Sequence, residues 1–203
     1  MMNSAGKLLI GVITACAILQ VCARAAVAPA AQEEALSVSS AAGAFALPEP
    51  DLSHLRTLTD ETGMFEFAAV LEPDRENGYC TEDVARALAA VLLYNRHVKR
   101  DAATAEALAK IYMRYLERAQ KKNGNFFHRM NYKQKSKGTA TEDSYGRALW
   151  GLGYAAAYPA DEAMGIAAEG MFKKALPRAK KLKWPRSMAY SMMGLHYYLE
   201  RFP

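Results

Sequence analysis

The chain has 203 residues, of which 51% are hydrophobic and 23% are charged, and its formal net charge is +5. This balance is typical of a chain that buries a core, and it excludes a disordered or fibrous protein for most of the length. The 13 glycines and 8 prolines are too few for a collagen-like or low-complexity chain. We therefore expect one soluble globular domain.

The N-terminal residues 1–25 have the features of a bacterial export signal. A lysine precedes a nearly unbroken apolar run over residues 8–21, and these 14 residues are fewer than a membrane-spanning helix needs. A small-x-small pattern predicts cleavage after Ala25, and therefore a periplasmic or secreted protein. Residues 13–16 (ITAC) resemble the lipobox of bacterial lipoproteins, so lipidation at Cys16, with membrane anchoring, is the alternative.

The segment that follows, residues 26–50, is predicted to be a flexible linker. It is rich in Ala, Ser, Glu and Pro and contains almost no large apolar side chains. Removal of residues 1–25 would leave Cys80 as the one cysteine, so the mature chain is expected to have no intrachain disulfide.

Neither a metal nor a cofactor is expected from the sequence. The 4 histidines are dispersed along the chain, and one mature cysteine cannot form a cluster with them. The chain also contains no glycine-rich phosphate loop and no dinucleotide-binding fingerprint, which argues against a nucleotide-sugar transferase.

Residues 51–203 are predicted to form an all-α domain, because the apolar side chains recur at intervals of three and four. No stretch alternates convincingly as a strand. The predicted helices cover residues 82–97, 102–120, 142–158, 161–182 and 186–200. The first two are expected to pair as a helical hairpin.

An internal repeat supports this hairpin organisation. Residues 82–88 (EDVARAL) match residues 143–149 (DSYGRAL), with an offset of 61 residues. In each copy an acidic residue stands four positions before an arginine. This spacing predicts two ion pairs on helix surfaces, Glu82 with Arg86 and Asp143 with Arg147.

Three stretches carry a resemblance to a known family. They are residues 58–65 (LTDETGMF), residues 73–88 (PDRENGYCTEDVARAL) and residues 142–153 (EDSYGRALWGLG). These stretches resemble motifs of the six-hairpin glycosidase-like proteins of bacteria, which are associated with glycosyltransferases in carbohydrate metabolism. The resemblance implies helical hairpins arranged as an α/α toroid, with the polar motif residues facing a central funnel and a glycan or oligosaccharide as the ligand.

The chain departs from the family in two respects. Six hairpins at 61 residues each would need on the order of 360 residues, whereas residues 52–203 give 152. We therefore expect a partial toroid that resembles the N-terminal half. Three positions of the motifs also differ, since Glu82, Val84 and Tyr145 stand where the family has Asp, Asn and His.

The motifs supply candidate catalytic carboxylates. Glycoside hydrolysis needs two carboxyl groups on either side of the scissile bond. Asp83, paired with Glu142 or Asp143, could form such a pair, because these residues begin successive helices. The alternative is that acidic residues in the first turn only stabilise the helix through its dipole.

The same motifs supply candidate substrate-binding residues. Aromatic side chains that could stack on sugar rings are Tyr79, Tyr145 and Trp150. Trp150 shares a helix face with glycines, so close helix packing is its alternative role. Arginines that could bind hydroxyl or carboxylate groups are Arg75, Arg86 and Arg147. For Arg86 and Arg147 the alternative is the ion pair within the helix.

Two segments are strongly basic. Residues 118–137 and residues 173–186 each contain seven Lys or Arg and no acid. Nucleic acid is not an expected partner for an exported protein, whereas anionic polysaccharide or a membrane surface would suit such clusters. Solvated helix ends are the simpler explanation.

The sequence leaves two functions open. The first is an exported, carbohydrate-associated protein that binds or processes a glycan. The second is a non-catalytic helical scaffold, or a truncated remnant of a larger toroid enzyme. Three hairpins would leave an open flank of apolar helices, so a homodimer that covers this flank is a further hypothesis.

Overall fold

The computed structural model describes residues 48–203, and 60% of this part is helical. The predicted signal peptide, Cys16 and most of the predicted linker lie outside the described residues. The helices are α1 (Ser53–Thr57), α2 (Thr81–His97), α3 (Ala102–Ala119), α4 (Glu142–Ala157), α5 (Glu162–Ala175) and α6 (Pro185–Arg201). No helix in residues 48–203 is both long enough and apolar enough to cross a bilayer.

The helix ends have local causes. The side chain of Thr141 accepts a hydrogen bond from the backbone N–H of Ser144 and caps α4, and Asp161 caps α5 in the same way. Pro185 opens α6, at a position where its missing N–H costs nothing. The predicted helix over residues 161–182 is correct up to Ala175, after which a 3-10 helix (Leu176–Lys181) continues the chain.

Five two-residue strands, which the sequence did not predict, complete the fold of residues 48–203. β1 (Ala68–Ala69) pairs antiparallel with β2 (Glu72–Pro73). β3 (Tyr79–Cys80) pairs antiparallel with β4 (Arg129–Met130), which pairs antiparallel with β5 (Ser136–Lys137). Two residues are too few for an alternating pattern to show in the sequence. The second sheet fixes the long connection between α3 and α4 against the start of α2.

Three helices, α2, α4 and α6, lie side by side and run in the same direction. Glu82 in the first turn of α2 contacts Ser144 in the first turn of α4. Along α4 and α6, Gly146 lies against Ser187 and Gly153 lies against Gly194, in the same order. The described part therefore contains two helical hairpins followed by α6, and the expectation of three hairpins was wrong for residues 48–203.

The remaining long helices, α3 and α5, form a second layer. Lys110 reaches Asp161 at 3.0 Å, and the side chain of Gln120 donates to the carbonyl of Met171 at 2.8 Å, so α3 and α5 also run parallel to each other. The core fills the space between the two layers. Its largest fully buried side chains include Tyr112, Tyr115, Phe126, Phe172, Leu88 and Leu149.

Glycines set the distance between α4 and its two neighbours. A Cβ atom on Gly153 would lie 2.1 Å from the carbonyl oxygen of Gly194, and a Cβ atom on Gly151 would lie 2.6 Å from the carbonyl oxygen of Ala85. Real Cβ atoms do not come this close to backbone atoms, so the helices can pack at this distance only because no side chain intervenes.

Replacement of Gly153 by Ala therefore tests the packing of α4 on α6. We expect Gly153→Ala to lower the free energy of unfolding by about 2–3 kcal/mol, because the backbones must separate. The matched control is Gly170→Ala on α5, where an added Cβ meets nothing within 4 Å. This change should be neutral or stabilise by up to about 1 kcal/mol, through helix propensity. Urea denaturation of both variants measures the difference, and equal effects would contradict the packing described.

Candidate functional site

The first turns of α2, α4 and α6 meet at one end of the domain, next to the connection over residues 121–141. We call this end the polar face. Because the three helices are parallel, their unpaired backbone N–H groups and the positive ends of their dipoles lie on the same side. The acidic residues Glu82, Asp83 and Asp143 of the repeated motif also lie there, in the first turns of α2 and α4.

Arg147 is the central residue of the polar face. Its side chain is 11% exposed, and it lies 3.2 Å from Glu82 and 3.0 Å from Asp143. Its guanidinium group also lies over the ring of Tyr190 at 5.0 Å. Arg147 thus joins α2, α4 and α6 through three different contacts.

One of the two predicted ion pairs is wrong and the other is confirmed. Asp143 pairs with Arg147 within α4, as predicted. Arg86, however, pairs with Asp83, and Glu82 reaches across to α4 instead. Glu82 is turned away from Arg86 because Ser144 and Arg147 of the neighbouring helix offer it two hydrogen-bond donors.

Ser144 and His128 extend this network without forming a nucleophilic site. The hydroxyl of Ser144 donates to Glu82 at 3.0 Å, and Nδ1 of His128 lies 3.2 Å from the same hydroxyl. In a serine hydrolase the acid contacts the histidine, whereas here it contacts the serine. Ser144 is also fully buried, so no substrate can reach it.

Glu142 and Asp143 line a cavity of about 580 Å³. A carboxylate oxygen of Glu142 accepts hydrogen bonds from the backbone N–H groups of Lys183 at 2.7 Å and of Trp184 at 3.2 Å. Asp143 accepts from Nε of Arg186 at 2.8 Å. The other residues that line this cavity are Thr141, Trp184, Pro185, Arg186 and Ser187.

Trp184 is the exposed aromatic residue of the cavity, with 68% of its surface accessible. The sequence did not predict a role in binding for Trp184, which lies just before the predicted helix over residues 186–200. Its position next to Glu142 depends on the packing of α6 on α4, which no local pattern reveals. We call the cavity with these residues the Trp184 cavity.

Asp83 does not line the Trp184 cavity and belongs to a different cluster. Ligand atoms of Asp83, Glu66 and Cys80 all lie within 4.8 Å of one another. These three side chains could hold a metal ion in principle, but Arg86 already pairs with Asp83 and Arg129 with Glu66. The two arginines neutralise both carboxylates, so we assign no metal to this cluster.

Burial changes the titration of two groups in the same cluster. Desolvation raises the pKa of Glu66, the nearby charge of Asp83 raises it further, and Arg129 counteracts both. Desolvation also raises the pKa of Cys80 to about 12. Glu66 follows the first family-like stretch, and no motif in the sequence indicated a role for it.

Two of the predicted stacking residues are core residues. Tyr79 is fully buried, its ring stacks on Phe65, and its hydroxyl donates to Asp60 at 2.6 Å. Tyr145 is 3% exposed, and its hydroxyl donates to the carbonyl of Ala175 at 2.6 Å. Neither ring has an exposed face on which a sugar could stack.

The remaining predicted binding residues lie outside the Trp184 cavity. The guanidinium group of Arg75 lies over the rings of Phe65 and Tyr132, at 5.1 and 5.6 Å. Arg86 is half-exposed beside Asp83. Trp150 is partly buried and stacks on Tyr190 of α6, with ring centroids 5.7 Å apart, so it contributes to helix packing.

Comparisons of the chain with models of protein families, with curated proteins and with solved structures found no match.

The cross-helix ion pair can be measured by a double-mutant cycle. We expect Glu82→Ala and Arg147→Ala to be coupled by about 1–3 kcal/mol, because the pair is largely buried and joins two helices. The control cycle uses Glu82→Ala with Arg86→Ala, the pair that the spacing alone predicted, and it should give about zero. Chemical denaturation of the single and double variants supplies the free energies of unfolding. A larger coupling in the control cycle would contradict the contacts described.

The raised pKa of Cys80 has a consequence for stability. Below about pH 8.5 both folded and unfolded chains keep this thiol proton, so the thiol gives no pH dependence there. Between about 8.5 and the folded value of about 12, only the unfolded chain loses the proton. The free energy of unfolding should then fall by up to about 1.4 kcal/mol per pH unit.

This dependence can be isolated from that of other groups by comparison with Cys80→Ala. Between pH 9 and pH 10.5, we expect the free energy of unfolding to fall less steeply in Cys80→Ala than in the unchanged protein. The two slopes should differ by up to about 1.4 kcal/mol per pH unit. Identical slopes in the two proteins would show that the thiol is not held protonated.

Proposed function

We propose that the chain is an exported, carbohydrate-associated protein that binds a glycan in the Trp184 cavity. The observation that carries the proposal is the arrangement of an exposed indole beside two carboxylates and a guanidinium group: Trp184, Glu142, Asp143 and Arg186. An indole ring packs well on the apolar face of a sugar. Carboxylates and arginines can hydrogen-bond the surrounding hydroxyl groups.

The proposal includes a partial α/α toroid. Its support is the parallel arrangement of α2, α4 and α6 as one layer, with α3 and α5 as the other. In a toroid the inner helices begin at the same rim, so the motif residues of successive hairpins meet there. Asp83 and Asp143, which begin equivalent helices, both lie at the polar face.

Binding is favoured over hydrolysis by the partners of the candidate catalytic residues. Glu142 accepts hydrogen bonds from two backbone N–H groups, and Asp143 forms ion pairs with two arginines. Asp83 belongs to the cluster with Glu66 and Cys80 rather than to the Trp184 cavity. We therefore propose that Glu142 and Asp143 position a ligand, and we assign no proton transfer to them. Export is supported by the sequence of residues 1–25.

A second candidate is a non-catalytic scaffold that associates through α6. Its support is a row of exposed apolar side chains along this helix: Met188, Met192 and Leu199. Their spacing of four and seven residues places them on one face. Light scattering on a sizing column distinguishes a dimer from a monomer, and a monomer at micromolar concentration would argue against the scaffold.

Removal of the indole tests glycan binding directly. We expect Trp184→Ala to raise the dissociation constant for a bound glycan by about tenfold to a hundredfold, because the stacking surface is lost. The control is Phe67→Ala, which removes another exposed aromatic side chain that does not line the cavity. A glycan array identifies a ligand, and titration calorimetry compares the variants. Equal binding by Trp184→Ala and the unchanged protein would refute the assignment.

Two substitutions of Glu142 separate structural from binding roles. Glu142→Gln keeps an oxygen that can accept the two backbone N–H groups, whereas Glu142→Ala does not. We expect Glu142→Ala to lower the free energy of unfolding by about 1–2 kcal/mol and Glu142→Gln to change it by less than about 0.5 kcal/mol. If Glu142 also contacts the glycan as a charged acceptor, Glu142→Gln should weaken binding. If Glu142→Gln binds the glycan as tightly as the unchanged protein does, Glu142 has only a structural role.

A further inference from the structure

The two basic segments, residues 118–137 and residues 173–186, are brought together by the fold. Gly124 has a positive φ of 81°, and a Cβ atom there would lie 2.2 Å from the carbonyl oxygen of Lys174. The turn around Gly124 therefore packs directly on the backbone at the end of α5. The side chain of Gln120 fixes the same junction through its bond to Met171.

Most of the positive charge in these segments has no acidic partner among residues 48–203. Fourteen Lys and Arg residues lie in the two segments. Within residues 48–203, three of these form ion pairs, Arg129 with Glu66, Lys173 with Glu169 and Arg186 with Asp143. Packing two such segments together is electrostatically unfavourable, and an anion bound between them would relieve the repulsion.

A smaller cavity, of about 110 Å³, lies at the junction of the two segments. Asn125 from the first segment and Arg178 and Lys181 from the second line it, together with Glu142 and Thr141. Glu142 and Thr141 also line the Trp184 cavity, so the two cavities adjoin. No ion pair within residues 48–203 involves Arg178 or Lys181.

We infer that the glycan bound at the Trp184 cavity is acidic, and that Arg178 and Lys181 hold its anionic group in the adjoining cavity. The inference rests on the proposed function and adds the class of glycan to it. A guanidinium group and an ammonium group suit a carboxylate, sulfate or phosphate substituent equally. Thr141 and Glu142 between the two cavities can accept hydrogen bonds from sugar hydroxyls.

An acidic glycan fits this surface better than an anionic membrane does. Arg178, Lys181 and Arg186 line concave cavities rather than a flat area, and a carboxylate acceptor lies between the two cavities. A sugar chain offers hydroxyl donors for that acceptor together with the anionic group.

The test compares one polysaccharide in charged and neutral forms. Affinity electrophoresis and titration calorimetry measure binding of the full-length chain to polygalacturonate and to its fully methyl-esterified form. We expect the acidic polymer to bind at least about tenfold more tightly at 50 mM NaCl, with a smaller preference at 500 mM because salt screens the charges. The double variant Arg178→Gln/Lys181→Gln should lose most of this preference.

The matched control is Lys99→Gln/Arg100→Gln, which removes two exposed charges between α2 and α3, at the opposite end of the helices. It should retain the preference to within about twofold. Circular dichroism melts confirm that both double variants fold. Polygalacturonate with the same affinity for both double variants would overturn the inference.

Other outcomes separate the inference from the proposed function. If the chain binds both polymers equally and Trp184→Ala abolishes this binding, the proposed glycan binding stands. The inference that the glycan is acidic is then overturned. A further outcome is that the chain binds none of the glycans tested: neither form of polygalacturonate, neither heparin nor desulfated heparin, and no member of a neutral glycan array. That result would overturn both the proposed function and the inference. Binding to vesicles of phosphatidylglycerol and phosphatidylcholine, without binding to any glycan, would assign the basic segments to a membrane surface instead.

Discussion

The close approach of α4 to its two neighbours is the constraint on which the rest of the structure depends. Gly146, Gly151 and Gly153 leave no side chain between α4 and the backbones of α2 and α6. Helices that pack this closely must keep their relative register, because a shift along the axis would place larger side chains against a neighbouring backbone. The fixed register brings the first turns of three parallel helices to one end, and with them the polar residues of the site.

The carboxylates of the polar face offset the positive charge that the fold concentrates there. Three parallel helix amino ends and the nearby cations Arg178, Lys181 and Arg186 would repel one another if nothing opposed them. Glu82, Glu142 and Asp143 oppose them from within, each bound to a partner on another helix or loop. Removing one carboxylate would therefore expose an uncompensated cation or N–H group as well as lose a contact. The same residues thus serve stability and recognition.

Much of the fold could be predicted from the sequence, whereas much of the site could not. The five long helices were predicted because their apolar side chains recur at the helical period, and the largest error, at the end of α5, lies where Pro177 enters a 3-10 helix. The partner of Glu82 could not be predicted, because the spacing of residues in the sequence identifies neighbours within one helix and not contacts with another helix. Likewise Tyr79, in a polar motif, gave no sign that its ring is buried.

The interface between α4 and α6 also constrains how the domain forms. Its glycine contacts join residues 41 to 45 positions apart, with all of α5 between them. A parallel pair of helices cannot close until the intervening helix has crossed back over the layer, and closing such a loop costs conformational entropy before any contact compensates. This close packing of α4 on α6 is therefore non-local, which slows folding and couples the hairpins into one cooperative unit.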